Sequence, residues 1–213
     1  GRRTGGGMTG PQEQWAAFRA EKERLRKEIR GRLRAIPPAE AKQSNALICR
    51  RLLQLPEYNR ARMILGFAGI NWEIRLTAFF AQALADGKRI ALPRVTGPGQ
   101  MEIRTVSSLR DLVPGAYGIP APSGDEAICA PADIDLAVVP CVSCDKSCRR
   151  LGQGGGFYDR FLTAAGFPSA AVCRDAGMAE EIPAAPWDQP VDLVVTETQV
   201  YRRSLETGEA QKR

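Results

Sequence analysis

Histidine is absent from this chain of 213 residues. Without an imidazole the protein cannot use Ser-His-Asp or Cys-His nucleophiles, His-ligated zinc, or a histidine general acid or base. Its chemistry must therefore rest on carboxylates, lysine, arginine, tyrosine, cysteine, backbone amides or a bound metal ion.

Cysteine and long apolar runs are also scarce. Six cysteines are too few for a disulfide scaffold of this length, and no stretch is apolar enough to span a bilayer. We therefore expect neither secretion nor membrane association, and a cytoplasmic location. Because 44% of the residues are hydrophobic and 25% are charged, the chain can bury the core of one domain.

The excess of positive charge lies at the amino-terminal end. The net charge is +6, and residues 1–34 hold ten basic and four acidic side chains, which accounts for all of it. Nucleic acid, an acidic lipid surface and a polyanionic small molecule are all compatible with such a cluster, as is a solvated helix face. Since no aromatic residues cluster with these basic residues as RNA-binding surfaces require, we expect no nucleic-acid partner.

Hydrophobic periodicity predicts an α/β fold. We expect a single domain with a central mixed or parallel sheet flanked by helices. The predicted helices are 14–35, 39–53, 73–86 and 158–165. The predicted strands are 63–68, 89–92, 101–105, 136–140, 170–173 and 193–196. We expect residues 1–13 to be a disordered extension, 14–205 the domain and 206–213 a flexible tail, with 113–131 a long loop that could border a cleft.

A glycine-rich turn is the strongest local signal. Residues 149–160, RRLGQGGGFYDR, follow a buried-looking strand and precede a helix. Glycines allow close approach of the backbone to a ligand, and a helix start offers free N–H groups to an anion. Arg149 and Arg150 could contact phosphate oxygens, and Asp159 could hold Mg²⁺. The pattern is neither a Walker A loop nor a dinucleotide fingerprint. A flexible turn is the alternative, but the flanking charges favour a phosphate site of another family.

The order of motifs along the chain resembles the 5-formyltetrahydrofolate cyclo-ligases, also called methenyltetrahydrofolate synthetases. Residues 150–160 carry the most specific match, and further matches lie at Lys22 to Arg26, 55–58, 71–74, 92–94, 117–119 and 191–197. The resemblance implies a NagB/RpiA/CoA-transferase-like arrangement. It implies an enzyme that uses ATP and Mg²⁺ to convert 5-formyltetrahydrofolate, a reduced folate, into 5,10-methenyltetrahydrofolate, ADP and phosphate. We expect the protein to be a monomer.

The same resemblance implies roles for individual residues. ATP is expected to contact Lys22, Arg26, Arg94, Arg150, Leu151, Gly152, Gln153, Gly154, Gly155, Gly156, Phe157 and Tyr158. Folate is expected to contact Arg26, Ala68, Glu73, Gly154 and Gly155. Asp159 and Asp192 match the magnesium positions. Arg150, Tyr158 and Glu73 match the catalytic positions.

The chain departs from the family pattern next to the folate glutamate. Arg75 and Leu76 replace an acidic-Thr pair, and Trp72 precedes Glu73. Two other functions therefore stay open. One is a paralogous ATP-dependent kinase or ligase with a non-folate acceptor, and the other is a non-catalytic regulator that binds nucleotide or RNA.

Cys141, Cys144 and Cys148 lie within eight residues and could form part of a zinc or iron–sulfur site. A fourth ligand is not close in sequence, although Cys129 or Cys173 could approach in space. Because the spacing misses the ferredoxin pattern, we favour small buried or partly exposed thiols, with redox sensitivity as a secondary role.

Overall fold

The computed structural model describes residues 10–163 and 166–204. Its helices are α1 (Pro11–Arg34), α2 (Pro38–Leu53), α3 (Pro56–Arg60), α4 (Thr77–Ala85) and α5 (Phe157–Thr163). Its strands are β1 (Met63–Leu65), β2 (Arg89–Gly97), β3 (Gln100–Val106), β4 (Val113–Pro114), β5 (Pro120–Ala121), β6 (Leu136–Val139), β7 (Ser143–Cys144), β8 (Arg150–Leu151), β9 (Ser169–Val172), β10 (Leu193–Val195) and β11 (Val200–Arg202).

Seven of these strands form one mixed sheet in the order β11-β10-β9-β6-β1-β2-β3. The five inner strands run parallel, whereas β3 and β11 pair antiparallel at the two edges. The prediction of an α/β fold with a mixed sheet flanked by helices is therefore confirmed. Separate two-stranded ribbons join β4 to β5 and β7 to β8.

The inner strands are buried on both faces. Every residue of β1, β6, β9 and β10 is buried, which explains why these segments are short apolar runs without polar alternation. Ile48 and Leu52 of α2 and Phe79 of α4 pack on one face. Leu162 of α5 and Phe167 pack on the other. The two packed layers hold the strand ends in fixed positions.

The sequence located most elements, with differences at their ends. Helix α1 begins at Pro11, so residues 11–13 are helical and do not belong to a disordered extension. Residues 1–9 and 206–213 lie outside the described part of the chain. Helix α4 begins at Thr77 instead of residue 73, because the preceding residues form a turn. The sequence did not predict α3, β4, β5, β7, β8 or β11, and β4 and β5 lie within the 113–131 segment that was expected to be a loop.

Parallel packing brings the carboxyl ends of neighbouring strands to one edge of the sheet. Phe67 and Ala68 follow β1, and Pro140 and Cys141 follow the adjacent β6. The glycine-rich segment between β8 and α5 lies at this same edge, where it shares a cavity with those residues. Ligands of open α/β sheets bind at this kind of edge, so the fold itself indicates where to look for the site.

Ile64 at the centre of the sheet offers a test of the packing. Its strand lies between β2 and β6 and its side chain is fully buried in the core with Leu52 and Phe79, so Ile64→Ala should lower the free energy of unfolding by about 2–5 kcal/mol. Ile128→Ala is the matched control, because that isoleucine is 64% exposed and should change stability by less than about 0.5 kcal/mol. Urea denaturation followed by circular dichroism measures both, and equal losses would contradict the assigned core.

Candidate active site

A cavity of about 1060 Å³ opens at the carboxyl edge of the sheet. Helix α1, the ends of β1 and β6, strand β2 and the glycine-rich loop form its walls. The cavity brings together most of the residues predicted from the sequence. Those that line it are Lys22, Arg26, Ala68, Glu73, Arg150, Leu151, Gly152, Gln153, Gly154, Gly155, Gly156, Phe157, Tyr158 and Asp159.

Arg150 anchors the loop to the sheet. Its side chain is only 3% exposed, and its Nη1 donates a hydrogen bond of 2.8 Å to the carbonyl of Pro140. Its guanidinium lies 5.5 Å from the centre of the Tyr158 ring and 3.6 Å from Oδ1 of Asp159. Both Nε of Arg150 and Oδ1 of Asp159 are buried without a hydrogen-bond partner. Buried polar atoms are normally paired, so this pair of groups has unused capacity for a ligand.

The glycine-rich loop places its backbone next to positive charge. Gly154 and Gly156 have φ values of 108° and 69°, a region that non-glycine residues rarely adopt. A Cβ at Gly152 would lie 3.1 Å from the Arg150 guanidinium, and one at Gly154 would lie 3.7 Å from that of Arg26. The loop is therefore a concave backbone surface flanked by guanidinium groups, which suits an anion.

Helix α1 lines the cavity with Lys22 and Arg26, which share one helix face because they are four residues apart. Nε of Arg26 donates to the carbonyl of Gly152 at 2.8 Å, and its Nη1 lies 3.0 Å from Glu23. Lys22 forms a partly buried ion pair with Asp188. Asp188 also lines the cavity and was not predicted, since nothing local in the sequence links residue 188 to residue 22.

Glu73 is held by a tight turn after β1. A Cβ at Gly69 would come within 2.2 Å of the Ile74 carbonyl, so the turn closes only with glycine there. Oε2 of Glu73 accepts a hydrogen bond of 2.9 Å from the Ile70 amide. Burial raises the pKa of the Glu73 carboxyl, and the Ile70 amide opposes this only in part. Glu73 therefore retains its proton at higher pH than an exposed glutamate.

Tyr158 is close enough to Arg150 and Glu73 for both charges to affect its phenol. Removal of its phenol from water raises the pKa of Tyr158, with the Arg150 charge opposing and the Glu73 charge adding to the shift. The phenol is therefore a neutral hydrogen-bond donor at physiological pH. Together these groups supply a carboxyl with a raised pKa, a phenol and a guanidinium to one cavity.

Arg94 does not lie in the cavity, contrary to the expectation for this residue. It belongs to β2, where side chains alternate between faces, and its neighbours Pro93 and Val95 line the cavity. Nη1 of Arg94 instead donates to the Pro122 carbonyl at 3.0 Å, and its Nε lies 3.7 Å from Glu102. The structure thus gives Arg94 a role in holding the 113–131 segment.

Asp192 does not line the cavity either. It immediately precedes β10, so it lies at the amino end of a parallel strand, whereas the cavity is at the carboxyl ends. Its Oδ2 accepts from the Ser169 amide at 2.9 Å, and its Oδ1 pairs with Arg203 at 3.2 Å. Both aspartates were expected at magnesium positions, but only Asp159 of these two lines the cavity.

An apolar wall is the part of the site that the sequence did not predict. Phe67, Pro93, Val95 and Met101 form it together with Ile119. Ile119 comes from the loop that was expected to border a cleft. Single apolar residues on separate strands carry no local signature of a ligand, so only the fold reveals that they share one surface.

The three cysteines that lie together in the structure are not the three that lie close together in the sequence. Sγ atoms of Cys141, Cys144 and Cys173 all lie within 4.8 Å of one another. Cys148 is elsewhere, with its Sγ 3.4 Å from the Tyr201 carbonyl. Hydrogen bonds from Cys144 and Cys173 lower the pKa of Cys141, and burial raises that of Cys144.

The model of the 5-formyltetrahydrofolate cyclo-ligase family matches residues 18–197. The chain belongs to this family. The match covers the cavity-lining helix α1, the turn of Glu73 and the glycine-rich loop, so the resemblance drawn from the sequence is confirmed. The prediction of a cyclo-ligase enzyme is confirmed with it.

Individual cyclo-ligases are similar over most of their length. The 5-formyltetrahydrofolate cyclo-ligase of Escherichia coli K12 is 29% identical over 180 residues, covering 81% of this chain and 98% of that one. A probable 5-formyltetrahydrofolate cyclo-ligase of Schizosaccharomyces pombe is 27% identical over 73% of this chain and 84% of that one. The structure of Aquifex aeolicus 5,10-methenyltetrahydrofolate synthetase superposes with a TM-score of 0.77 at 31% identity, covering 90% of this chain and 99% of that one.

The buried carboxyl of this cyclo-ligase predicts a pH-dependent effect of Glu73→Gln on stability. The folded-state pKa of Glu73 is raised, so the wild type loses stability as pH rises from the unfolded-state pKa through the folded-state value. Glutamine keeps an oxygen for the Ile70 amide without ionising. The stability of the variant relative to wild type should therefore increase as the pH rises above about 4.3, the ordinary pKa of glutamate.

Urea denaturation at a series of pH values measures this difference. Glu180→Gln serves as the control, because Glu180 is exposed and its variant should keep a constant offset from wild type. A Glu73→Gln offset that does not change with pH would contradict the assigned environment.

Proposed function

We propose that the chain converts 5-formyltetrahydrofolate into 5,10-methenyltetrahydrofolate with consumption of MgATP and release of ADP and phosphate. The observation that carries this proposal is a single cavity that joins a guanidinium-flanked glycine loop to an apolar wall bearing Glu73. The first feature suits a polyphosphate and the second suits a flat heterocycle with hydrogen-bonding edges. A reaction between ATP and a reduced folate needs both in contact.

The phosphate side is supported by Arg150, Arg26 and the backbone of the 152–156 loop. Guanidinium groups and backbone amides are the donors that phosphates use most often. Because Arg26 already donates to the Gly152 carbonyl, helix α1 and the loop would close together around the same anion. Nε of Arg150, buried without a partner, supplies a further donor.

Asp159 fits the role of protein ligand to Mg²⁺. Its Oδ1 is buried and has no hydrogen-bond partner, and Mg²⁺ in phosphoryl-transfer sites commonly binds one or two carboxylates together with substrate phosphates. When bound there, the ion would neutralise part of the charge on the phosphates. Arg150 at 3.6 Å would then face the same phosphates from a neighbouring direction.

Glu73 and the apolar wall support the folate side. A flat pterin would pack against Phe67, Pro93 and Ile119, which line the cavity. The Glu73 carboxyl lines the same cavity and would form a hydrogen bond with a ring nitrogen or the formyl group. Ala68 beside it leaves room for the ring because its side chain is a single methyl group.

The reaction implied by the family suits a chain without histidine. The γ-phosphoryl group is transferred to the formyl oxygen and ADP leaves. N10 then attacks the formyl carbon and loses its proton to the departing phosphate or to solvent, and phosphate leaves as the ring closes. The enzyme's share is to hold the reactants in line, exclude water and offset charge, for which a titrating base is not required. Arg150, the loop amides and Tyr158 are placed for the last of these tasks.

A paralogue with a non-folate acceptor was the main alternative, because of the changes beside Glu73. Arg75 and Leu76 do not line the cavity: Leu76 is buried in the core, and Arg75 is exposed, with Nη2 donating to the Asn71 carbonyl at 3.2 Å. Since these departures lie outside the cavity wall, they favour retention of the folate acceptor.

The remaining partner expectations stay predictions. Among residues 10–163 and 166–204, no helix is both long enough and apolar enough to cross a membrane. Monomeric state, cytoplasmic location and the absence of a nucleic-acid partner are proposed here on the sequence alone.

Turnover of 5-formyltetrahydrofolate with MgATP should produce the near-ultraviolet absorbance of the methenyl product. Arg150→Ala should lower kcat/KM for ATP by about 100-fold or more, as expected for loss of a preorganised charge donor. Arg94→Ala should leave kcat/KM within about threefold, because Arg94 faces away from the cavity. Circular dichroism checks that both variants fold.

ATP binding without methenyl product would favour the paralogue or the non-catalytic regulator. Equal losses in Arg150→Ala and Arg94→Ala would show that the loop is misassigned.

Asp159→Asn and Asp192→Asn form a matched pair for the metal. Asp159→Asn should raise the Mg²⁺ concentration for half-maximal activity by at least about tenfold. Even substitution of a residue that only contacts a metal ligand typically costs about tenfold or more in metal affinity. Asp192→Asn should leave that concentration unchanged, because Asp192 lies at the other edge of the sheet. A Mg²⁺ titration of the initial rate measures both, and the reverse order of effects would refute the assignment.

A further inference from the structure

Three thiols meet behind the wall of the active-site cavity. Cys141 follows β6, Cys144 lies on β7 and Cys173 follows β9, and their Sγ atoms are within 4.8 Å of one another. Cys144 and Cys173 are buried, whereas Cys141 is half-buried and lines the cavity. The cyclo-ligase reaction described above uses none of them.

We propose that Cys141, Cys144 and Cys173 form a binding site for a thiophilic divalent cation of the Zn²⁺ class. Three thiolates would hold the ion, and water or a ligand from the cavity would complete a tetrahedron. Three protein ligands with one open position are the usual arrangement of a zinc site that meets solvent or substrate.

The geometry needs little adjustment. Three sulfur atoms no more than 4.8 Å apart enclose a point within about 2.8 Å of each, and a Zn–S bond is about 2.3 Å long. Each sulfur atom would therefore have to move inward by about 0.5 Å to form the site, and side-chain rotation can provide this movement. Zinc is also the common biological divalent ion that soft thiolate ligands favour.

The surroundings balance the charge. Binding releases one proton from each of the three thiols to solvent, so the ion with its thiolates carries a net charge of −1. Arg150 donates to the carbonyl of Pro140, the residue before Cys141, which places a guanidinium beside the cluster. This cation would offset the cost of burying the thiolates.

Access is available through Cys141, since it contacts both the main cavity and a second cavity of about 20 Å³. Cys173 also lines that smaller cavity, which is large enough for about one water molecule. An ion can therefore arrive from the active site, and a water can reach the cluster from the smaller space.

Equilibrium metal binding tests the proposal. Fully reduced protein is titrated without air against Zn²⁺ in competition with a chromophoric chelator, and against Co²⁺ to detect sulfur-to-metal charge-transfer absorption. Wild type should bind one ion with at least three sulfur ligands. Cys144→Ser and Cys173→Ser should each weaken binding by at least about tenfold.

Cys49→Ser and Cys129→Ser are the controls, because both cysteines are buried but lie outside the cluster. They should bind as tightly as wild type. Thermal unfolding identifies any variant that fails to fold, and Cys144→Ala and Cys173→Ala replace a serine variant that does so. Absence of binding, or equal binding by cluster and control variants, would overturn the proposal. A disulfide within the cluster, together with no ion binding by the reduced protein, would also overturn the proposal.

A second readout rests on the proposed function. An ion at Cys141 would lie next to the Arg150 anchor, so stoichiometric Zn²⁺ should slow methenyl formation in wild type and have less effect in Cys173→Ser. Metal binding is measured without turnover. A chain that binds the ion yet forms no methenyl product would therefore contradict the cyclo-ligase proposal and leave the site intact.

Discussion

The active site depends on one buried cation. The Arg150 guanidinium links the end of a central strand, through the Pro140 carbonyl, to the glycine-rich loop and to Asp159. Burying a charge is costly unless its partners are well placed. Here the partners are a backbone oxygen, an aromatic face and a carboxylate that is 3.6 Å away, and Nε has none. That arrangement favours an additional anion, which would complete the pairing of the guanidinium.

Helix α1 contacts both this loop and the segment at residues 187–188. Arg26 contacts the Gly152 carbonyl, Lys22 pairs with Asp188, and the ring of Trp15 lies 4.5 Å from that of Trp187. These three contacts join residues more than 120 positions apart. The positive charge near the amino terminus is therefore in part a structural feature of the cavity, and two of its members face the space where a polyphosphate would bind.

Local sequence signals predicted the parts of the fold that depend on local physics. The helices and buried strands follow from periodicity and apolar runs, and the glycine-rich loop from its composition. The incorrect predictions concern how residues far apart in the sequence are arranged in space. Arg94 was predicted to contact the ligand, but the alternation of side chains along β2 turns it away from the cavity. Asp192 was predicted to bind magnesium, but it precedes β10 and therefore lies at the opposite end of the strand from the cavity. Cys173 joined Cys141 only because β9 is the neighbour of β6, and the order of strands in a sheet is not encoded in any one segment.

Glu73 shows why a histidine-free chain can place a carboxyl in the same cavity as a polyphosphate. A fully ionised glutamate in that cavity would compete with the phosphate for the guanidinium groups and repel its charge. Burial raises the pKa of Glu73, so at a given pH its carboxyl carries less charge than that of an exposed glutamate and competes less for those groups. Desolvation is the largest cause of this shift, because the turn at Gly69 holds Glu73 half-buried in the cavity wall.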